Sequence, residues 1–137
     1  METKNPPQFD LTGQVALITG SSQGLGFAIA QAYAASGATV IINGRNPEQV
    51  QAAQKKLQQK GYPIARLIQD IIDWDLYAHN LNILCKEIGV PSIHVNCVGQ
   101  RLRKGFAECT PTEILEHIQT NLTTTVQVSR LAALKMV

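Results

Sequence analysis

The sequence predicts an α/β fold, a doubly wound parallel sheet whose strands 1–4 take the order 3-2-1-4 with helices on both faces. Three observations predict it. Short apolar runs alternate with stretches of helical spacing, the signature of βαβ units. A glycine-rich turn follows the first run and opens the first helix. Each crossover between parallel strands is right-handed, which leaves that order. The fourth strand is central in such a sheet, and left as an edge it is a liability. The expectation is therefore of an incomplete sheet, with its C-terminal part missing.

The elements follow in order. Val15-Ala16-Leu17-Ile18 is a short buried strand that ends at Thr19-Gly20. Helical spacing starts near Gly24 and runs through Ile29 and Tyr33 to Ser36, where Gly37 suits a left-handed cap. Thr39-Val40-Ile41-Ile42 is the second strand, rich in β-branched residues. Asn46 is a good N-cap, Pro47 suits the first helical position, and Gln49 completes a capping box. Val50, Ala53 and Leu57 make that helix's apolar face, and Gly61 ends it. A third strand covers 64–68. Asp73 caps a helix running to Glu87, ahead of Gly89 and Pro91. Ile93-His94-Val95 is the fourth strand, followed by a loop to Thr110. Thr110-Pro111-Thr112-Glu113 is a second capping box. The helix it starts runs almost to the end, bent or interrupted near Asn121, with Ile114, Ile118, Leu122, Val126 and Leu131 apolar.

The bulk properties narrow the classes. A chain of 137 residues suits one domain. We divide it into a polar N-terminal extension, 1–10, and a single α/β domain, 11–137, whose C-terminal part is missing. The apolar share of 45% and charged share of 16% are those of a globular protein. A net charge of +2 gives no reason to expect nucleic acid or a membrane surface as partner. No apolar run reaches the length of a membrane span, and Met1 to Asp10 lacks the layout of a signal peptide. Cys85, Cys97 and Cys109 form no CxxC pair and read as free thiols in a reducing cytoplasm. His79, His94 and His117 show no ligand spacing, so no metal is expected.

Chemistry concentrates in Thr19-Gly20-Ser21-Ser22-Gln23-Gly24-Leu25-Gly26. Glycines between a strand and a helix let the backbone approach a pyrophosphate, and the helix N-terminus presents unpaired N–H groups with partial positive charge. The spacing is G-x-x-x-G-x-G. This segment resembles the TGxxxGxG motif of the short-chain dehydrogenase/reductase family, whose fold is of the Rossmann type. Three further segments agree in order and spacing: Asp70 closing the third strand, Asn96-Cys97-Val98-Gly99 where the family has NNAG, and Asn121 in the long helix. The resemblance covers essentially everything after Phe9. Within the family, Phe9-Asp10-Leu11-Thr12-Gly13, Asn43-Gly44-Arg45-Asn46 and Gly99-Gln100-Arg101 are most similar to the gluconate 5-dehydrogenases. Other sugar-acid reductases and the 3-oxoacyl reductases stay open.

The resemblance implies an NAD(P)-dependent oxidoreductase acting on a ketone or secondary alcohol, with a sugar acid such as gluconate among the substrates. It implies cofactor-binding roles for Gly20, Ser22, Gln23, Gly24, Leu25, Gly26, Asn43, Arg45, Asp70, Ile71, Asn96 and Gly99, a catalytic role for Asn121, and a homo-oligomer. Cys97 and Val98 depart from NNAG, where Asn96 and Gly99 are kept. An acid at the end of the second strand would bond both ribose hydroxyls of NAD. Here stand Asn43, Gly44 and Arg45, and a guanidinium can hold a 2′-phosphate bidentately, so NADP(H) is favoured over NAD(H). Arg45 as a plain solvated loop charge is the bland alternative.

Family members transfer hydride with a serine and a Tyr-x-x-x-Lys pair. Tyr33 is followed four residues on by Gly37, Tyr62 by Arg66 and Tyr77 by Leu81, so no such pair exists in the chain. In the family both elements follow a fifth strand, and the sequence reaches Lys135-Met136-Val137 before one. The expectation is a cofactor-binding part, inactive alone. The alternative is a non-catalytic nucleotide-binding fragment or degenerate relative. A methyltransferase would want an acid where Asn43 stands. Cys97 reads as a buried, inert thiol, His94 as a packed side chain, Asp73 and Asp75 as helix-start charges, and Trp74 as packing on the sheet rim.

Overall fold

The computed structural model describes residues 9–137, so the extension expected over 1–10 lies mostly outside the described residues. Four parallel strands, β1 (Val15–Ile18), β2 (Thr39–Gly44), β3 (Ile64–Ile68) and β4 (Ile93–Val95), stand in the order β3-β2-β1-β4. Helices α1 (Gly24–Ala35) and α2 (Pro47–Gln58) cover one face. Helices α3 (Trp74–Ile88) and α5 (Thr124–Met136) cover the other. A short α4 (Pro111–Ile118) precedes α5.

The two-sided core follows from the alternation of side chains along a strand. Ala16 and Ile18 of β1, with Val40 and Ile42 of β2, pack against Ala30, Ala34, Val50 and Leu57 of α1 and α2. Leu17 and Ile41, one residue out of phase, pack against Tyr77, Leu81 and Val128 of α3 and α5. Burial of one such aliphatic side chain contributes about 1.5–3 kcal/mol, so a single-residue slip of any strand is strongly opposed. Alanines at 30 and 34 let α1 lie close to the sheet. Among the described residues no helix is long and apolar enough to cross a membrane.

The strand order, the interruption near Asn121 and most element boundaries match the sequence reading, with two differences. β2 runs two residues further than its apolar stretch, because Asn43 and Gly44 still pair with Leu67 and Ile68. At α2 only half of the expected capping box forms: Asn46 Oδ1 accepts from the Gln49 N–H at 3.1 Å, while the Gln49 side chain lines the cleft described below. The long final helix is broken by a five-residue π-helical turn, Gln119–Thr123, centred on Asn121. The Thr110–Glu113 box is complete, with bonds of 3.2 Å and 2.9 Å. Leu131, one of the apolar positions expected in that helix, packs onto the Leu17 core.

Candidate functional site

β1 delivers the chain into the glycine loop at the carboxyl ends of the strands, where β2 leaves on one side of β1 and β4 stands on the other. This is the topological switch point at which open α/β sheets place their ligands. Gly20 has φ +60°, a conformation L side chains rarely adopt, and a Cβ there would lie 3.0 Å from the Cys97 carbonyl oxygen. A Cβ on Gly26 would come within 2.3 Å of the Gly20 carbonyl oxygen, so α1 can start against the loop only with glycine there. Gln23, the cap residue of α1, makes no side-chain capping bond, and the first turn holds no acid. The helix therefore begins with N–H groups that no side chain caps, and its dipole is free to favour an anion.

Hydrogen bonds fix the loop from beneath. Buried Ser21 donates its hydroxyl to the Ile18 carbonyl at 2.7 Å and accepts from the Asn43 N–H at 2.9 Å. Its own N–H donates to the Asn43 carbonyl at 2.9 Å. Thr19, also buried, accepts from the Cys97 N–H at 3.2 Å and so holds the end of β4 to the loop. Sequence reasoning missed both hydroxyls; their position between an apolar strand and a glycine was the available signal.

A cleft of about 420 Å³ opens above this framework. Of the residues expected to bind cofactor, it gathers Gly20, Ser22, Gln23, Asn43, Arg45, Asp70, Ile71 and Gly99. Gly24, Leu25, Gly26 and Asn96 do not line it. Leu25 is 74% exposed on the outer side of α1, and Gly26 is a packing residue. Asn96 is turned away: its Nδ2 donates to Ser129 Oγ at 2.8 Å, and its Oδ1 lies 3.0 Å from His94 Nε2. Asn43 is only 1% exposed, and its carboxamide is directed into the framework. The residue lines the cleft, but its side chain is taken up by backbone groups of the framework. The groups presented at that strand end are Gly44 and the exposed Arg45. A Cβ on Gly44 would meet Val50 Cγ2 at 2.8 Å and Ser22 Oγ at 3.1 Å, so this arrangement leaves no room for a carboxylate side chain. Asp70 Oδ1 accepts from the Ile72 N–H at 3.1 Å, shaping the turn after β3. Gln49, Gln69, Gln100 and Thr120 also line the cleft and were not anticipated.

In the segment Asn96-Cys97-Val98-Gly99, Cys97 packs toward the α1–α2 core and Val98 toward the α3–α5 core. Burial pushes the Cys97 thiol above the usual cysteine range, which keeps it protonated and unreactive at neutral pH. The π turn brings Asn121 to Gln100. Its Oδ1 accepts from the Gln100 N–H at 2.7 Å and its Nδ2 donates to the Gln100 carbonyl at 2.9 Å, a two-point clamp on the loop after β4. Its backbone carbonyl accepts from Thr125 Oγ1 at 3.0 Å. Tyr77 is fully buried and burial holds its phenol well above the ordinary range, so it is unsuited to proton transfer at a site.

A parallel sheet in the order 3-2-1-4, with a glycine loop feeding an uncapped helix at its switch point, defines a Rossmann-type fold of the nucleotide-binding class. The chain belongs to the short chain dehydrogenase family, whose sequence profile matches residues 14–137. It is 29% identical to gluconate 5-dehydrogenase of Gluconobacter oxydans over 133 residues, 97% of this chain and 52% of that protein. It is 32% identical to 5-keto-D-gluconate 5-reductase of Escherichia coli over 129 residues, 94% of this chain and 51% of that one. The solved structure of 2-keto-3-deoxy-D-gluconate dehydrogenase from Streptococcus agalactiae superposes with a TM-score of 0.82 at 30% identity, covering 96% of this chain and 49% of that chain. The chain thus spans about half the length of the curated relatives it matches. The likeness to gluconate 5-dehydrogenases read from the sequence is found in the comparison of whole sequences.

Proposed function

We propose that residues 11–137 are the cofactor-binding part of an NADP(H)-dependent oxidoreductase that interconverts a ketone and a secondary alcohol on a sugar acid such as gluconate. One observation carries the cofactor reading: the rim of the cleft at the end of β2 offers Gly44, with no space for an acid, and beside it the exposed guanidinium of Arg45. The phosphate end of the dinucleotide would lie on the start of α1 and the adenine near Asp70 and Ile71. Ser22, Gln23, Asn43 and Gly99 would complete the walls, with Asn121 acting through the loop it clamps. The substrate class comes from relatives named for gluconate and keto-gluconates. A cytoplasmic homo-oligomer is the setting this reading implies.

Calorimetric titration of NADP(H) and NAD(H) against the wild type and Arg45→Ala tests it. NADP(H) binds more tightly to the wild type, and the substitution narrows the gap. Equal affinities in the wild type refute the preference. A non-catalytic nucleotide-binding role is the second reading; within these 137 residues Tyr33, Tyr62 and Tyr77 are followed four residues on by Gly37, Arg66 and Leu81. Under either reading the purified 137-residue chain shows no NADP-linked turnover of ketones, and turnover free of host reductases would contradict both.

A further inference from the structure

We propose that Asn43 is a positioning residue, whose buried carboxamide sets the spacing between the glycine loop and the end of β3 at which the adenosine half of a dinucleotide is gripped. The inference rests on the dinucleotide-binding reading above. Asn43 Nδ2 donates to the Leu67 carbonyl at 2.9 Å and to the Gln69 carbonyl at 3.0 Å. Oδ1 accepts from the Gly20 N–H at 3.4 Å. One side chain thus ties backbone groups from two segments that both line the cleft: Gly20 of the glycine loop, and Gln69, next to Asp70, after β3.

The backbone of the same residue is held just as firmly, exchanging two bonds with Ser21. The β2–β3 ladder ends at Gly44 and Ile68, with the Gln69 N–H reaching the Gly44 carbonyl at 3.0 Å. Beyond that point the side chain of Asn43 continues the cross-link where no further strand pairing exists. A second amide supports the same wall, since Asn80 Nδ2 on α3 donates to Gln69 Oε1 at 3.0 Å.

Only a carboxamide meets the demand at this place. It offers two donors and an acceptor in one plane. An aspartate of the same shape would keep an acceptor for the Gly20 N–H but set its second carboxylate oxygen, in place of the donating NH2, against the Leu67 and Gln69 carbonyl oxygens. A leucine would leave three backbone groups without this partner in a nearly dry setting. The residue is therefore polar, buried and directed at the framework, although it stands at the strand end where cofactor choice is read. Its effect on binding is transmitted through Gly20 and Asp70.

The test is a double-mutant cycle on the 137-residue chain, with adenosine 2′,5′-bisphosphate as the calorimetric probe at a temperature where circular dichroism shows every variant folded. Asn43→Ala weakens binding about tenfold or more, and Asp70→Ala costs less affinity in the Asn43→Ala background than in the wild type. A merely structural role lowers the melting temperature without this coupling. A folded Asn43→Ala variant that binds as tightly as the wild type, or whose loss simply adds to that of Asp70→Ala, overturns the inference. The wild type gives an independent reading by NMR. The Asn43 carboxamide protons exchange slowly with solvent and shift when the probe is added, whereas exchange at the rate of an exposed asparagine overturns the inference without any substitution. A wild type that does not bind the probe at all defeats the dinucleotide reading itself, and the inference with it.

Discussion

Gly26 shows how one missing methyl governs this fold. The Cβ of any other residue would stand 2.3 Å from the Gly20 carbonyl oxygen, so Gly26→Val must push α1 and the loop apart. Overpacking of this kind costs about 1–3 kcal/mol or more, and it moves the α1 N-terminus away from a bound phosphate. Dinucleotide binding is expected to vanish and the melting temperature to fall; titration of the folded variant checks the first and a thermal melt the second. Unchanged binding would mean that this loop is not the cradle. His94 carries a different dependence. Burial holds its imidazole below the usual histidine range, with the bond to Asn96 opposing. The unfolded chain therefore takes up a proton first, near pH 6.5. Stability is full above that value and falls as the pH drops through it toward the lower folded value. Denaturant melts between about pH 7 and about pH 5 should show the loss, and His94→Leu should flatten it. The sequence showed that His94 sits in a short strand; its alternation places it beside Leu17 on the α3–α5 side, with the ring against the Asn96 amide.

At the scale of elements, the helix caps were readable because each uses local chemistry. Thr110 and Glu113 exchange both bonds of their box, and Lys104 adds an ion pair to Glu113. The bond to Lys104 first, then that to the Thr110 N–H, holds the Glu113 carboxyl near a pKa of about 2. Its folded value is depressed, so its contribution is present above the ordinary carboxylate range and is lost as the pH falls through that range toward 2. Thr110→Ala should destabilise the chain by about 1 kcal/mol, read from denaturant melts, and should fray α4 in hydrogen exchange. What the sequence concealed was non-local. Asn43 and Gly44 look like the start of a loop, yet they finish β2 because β3 pairs with them. Asn46 and Gln49 spell a capping box, yet the Gln49 side chain lines the cleft. The bend near Asn121 was legible as an interruption, but not as a π turn that aims its carboxamide at Gln100, 21 residues upstream. The glycine loop was plain because its glycines answer to local backbone constraints. The inward turn of Asn43 was not, since its partners sit on another strand.

At the scale of the whole molecule, two surfaces stand out against the well-filled interior. β4 is an edge strand among the described residues, three residues long and paired only with β1. Next to it in the chain, α4, the π turn and α5 expose Leu115 at 66%, Leu122 at 60%, Val126 at 60% and Leu134 at 57%. Water-facing aliphatics of this size gathered along consecutive helical segments mark a surface that associates, and an unpaired strand edge offers hydrogen bonds to any neighbouring chain. The 137-residue chain should therefore form oligomers or aggregates at micromolar concentration. Light scattering would detect the mass, and Leu122→Glu with Val126→Glu should reduce it by putting charge on the exposed face. If that face is responsible, the double variant gains monomer without loss of dinucleotide affinity, because neither residue lines the cleft. If association persists in the variant, the β4 edge is the contact instead, and a charged substitution at the exposed Ser92, just before β4, becomes the next test. A monodisperse wild-type monomer would show that neither surface drives assembly.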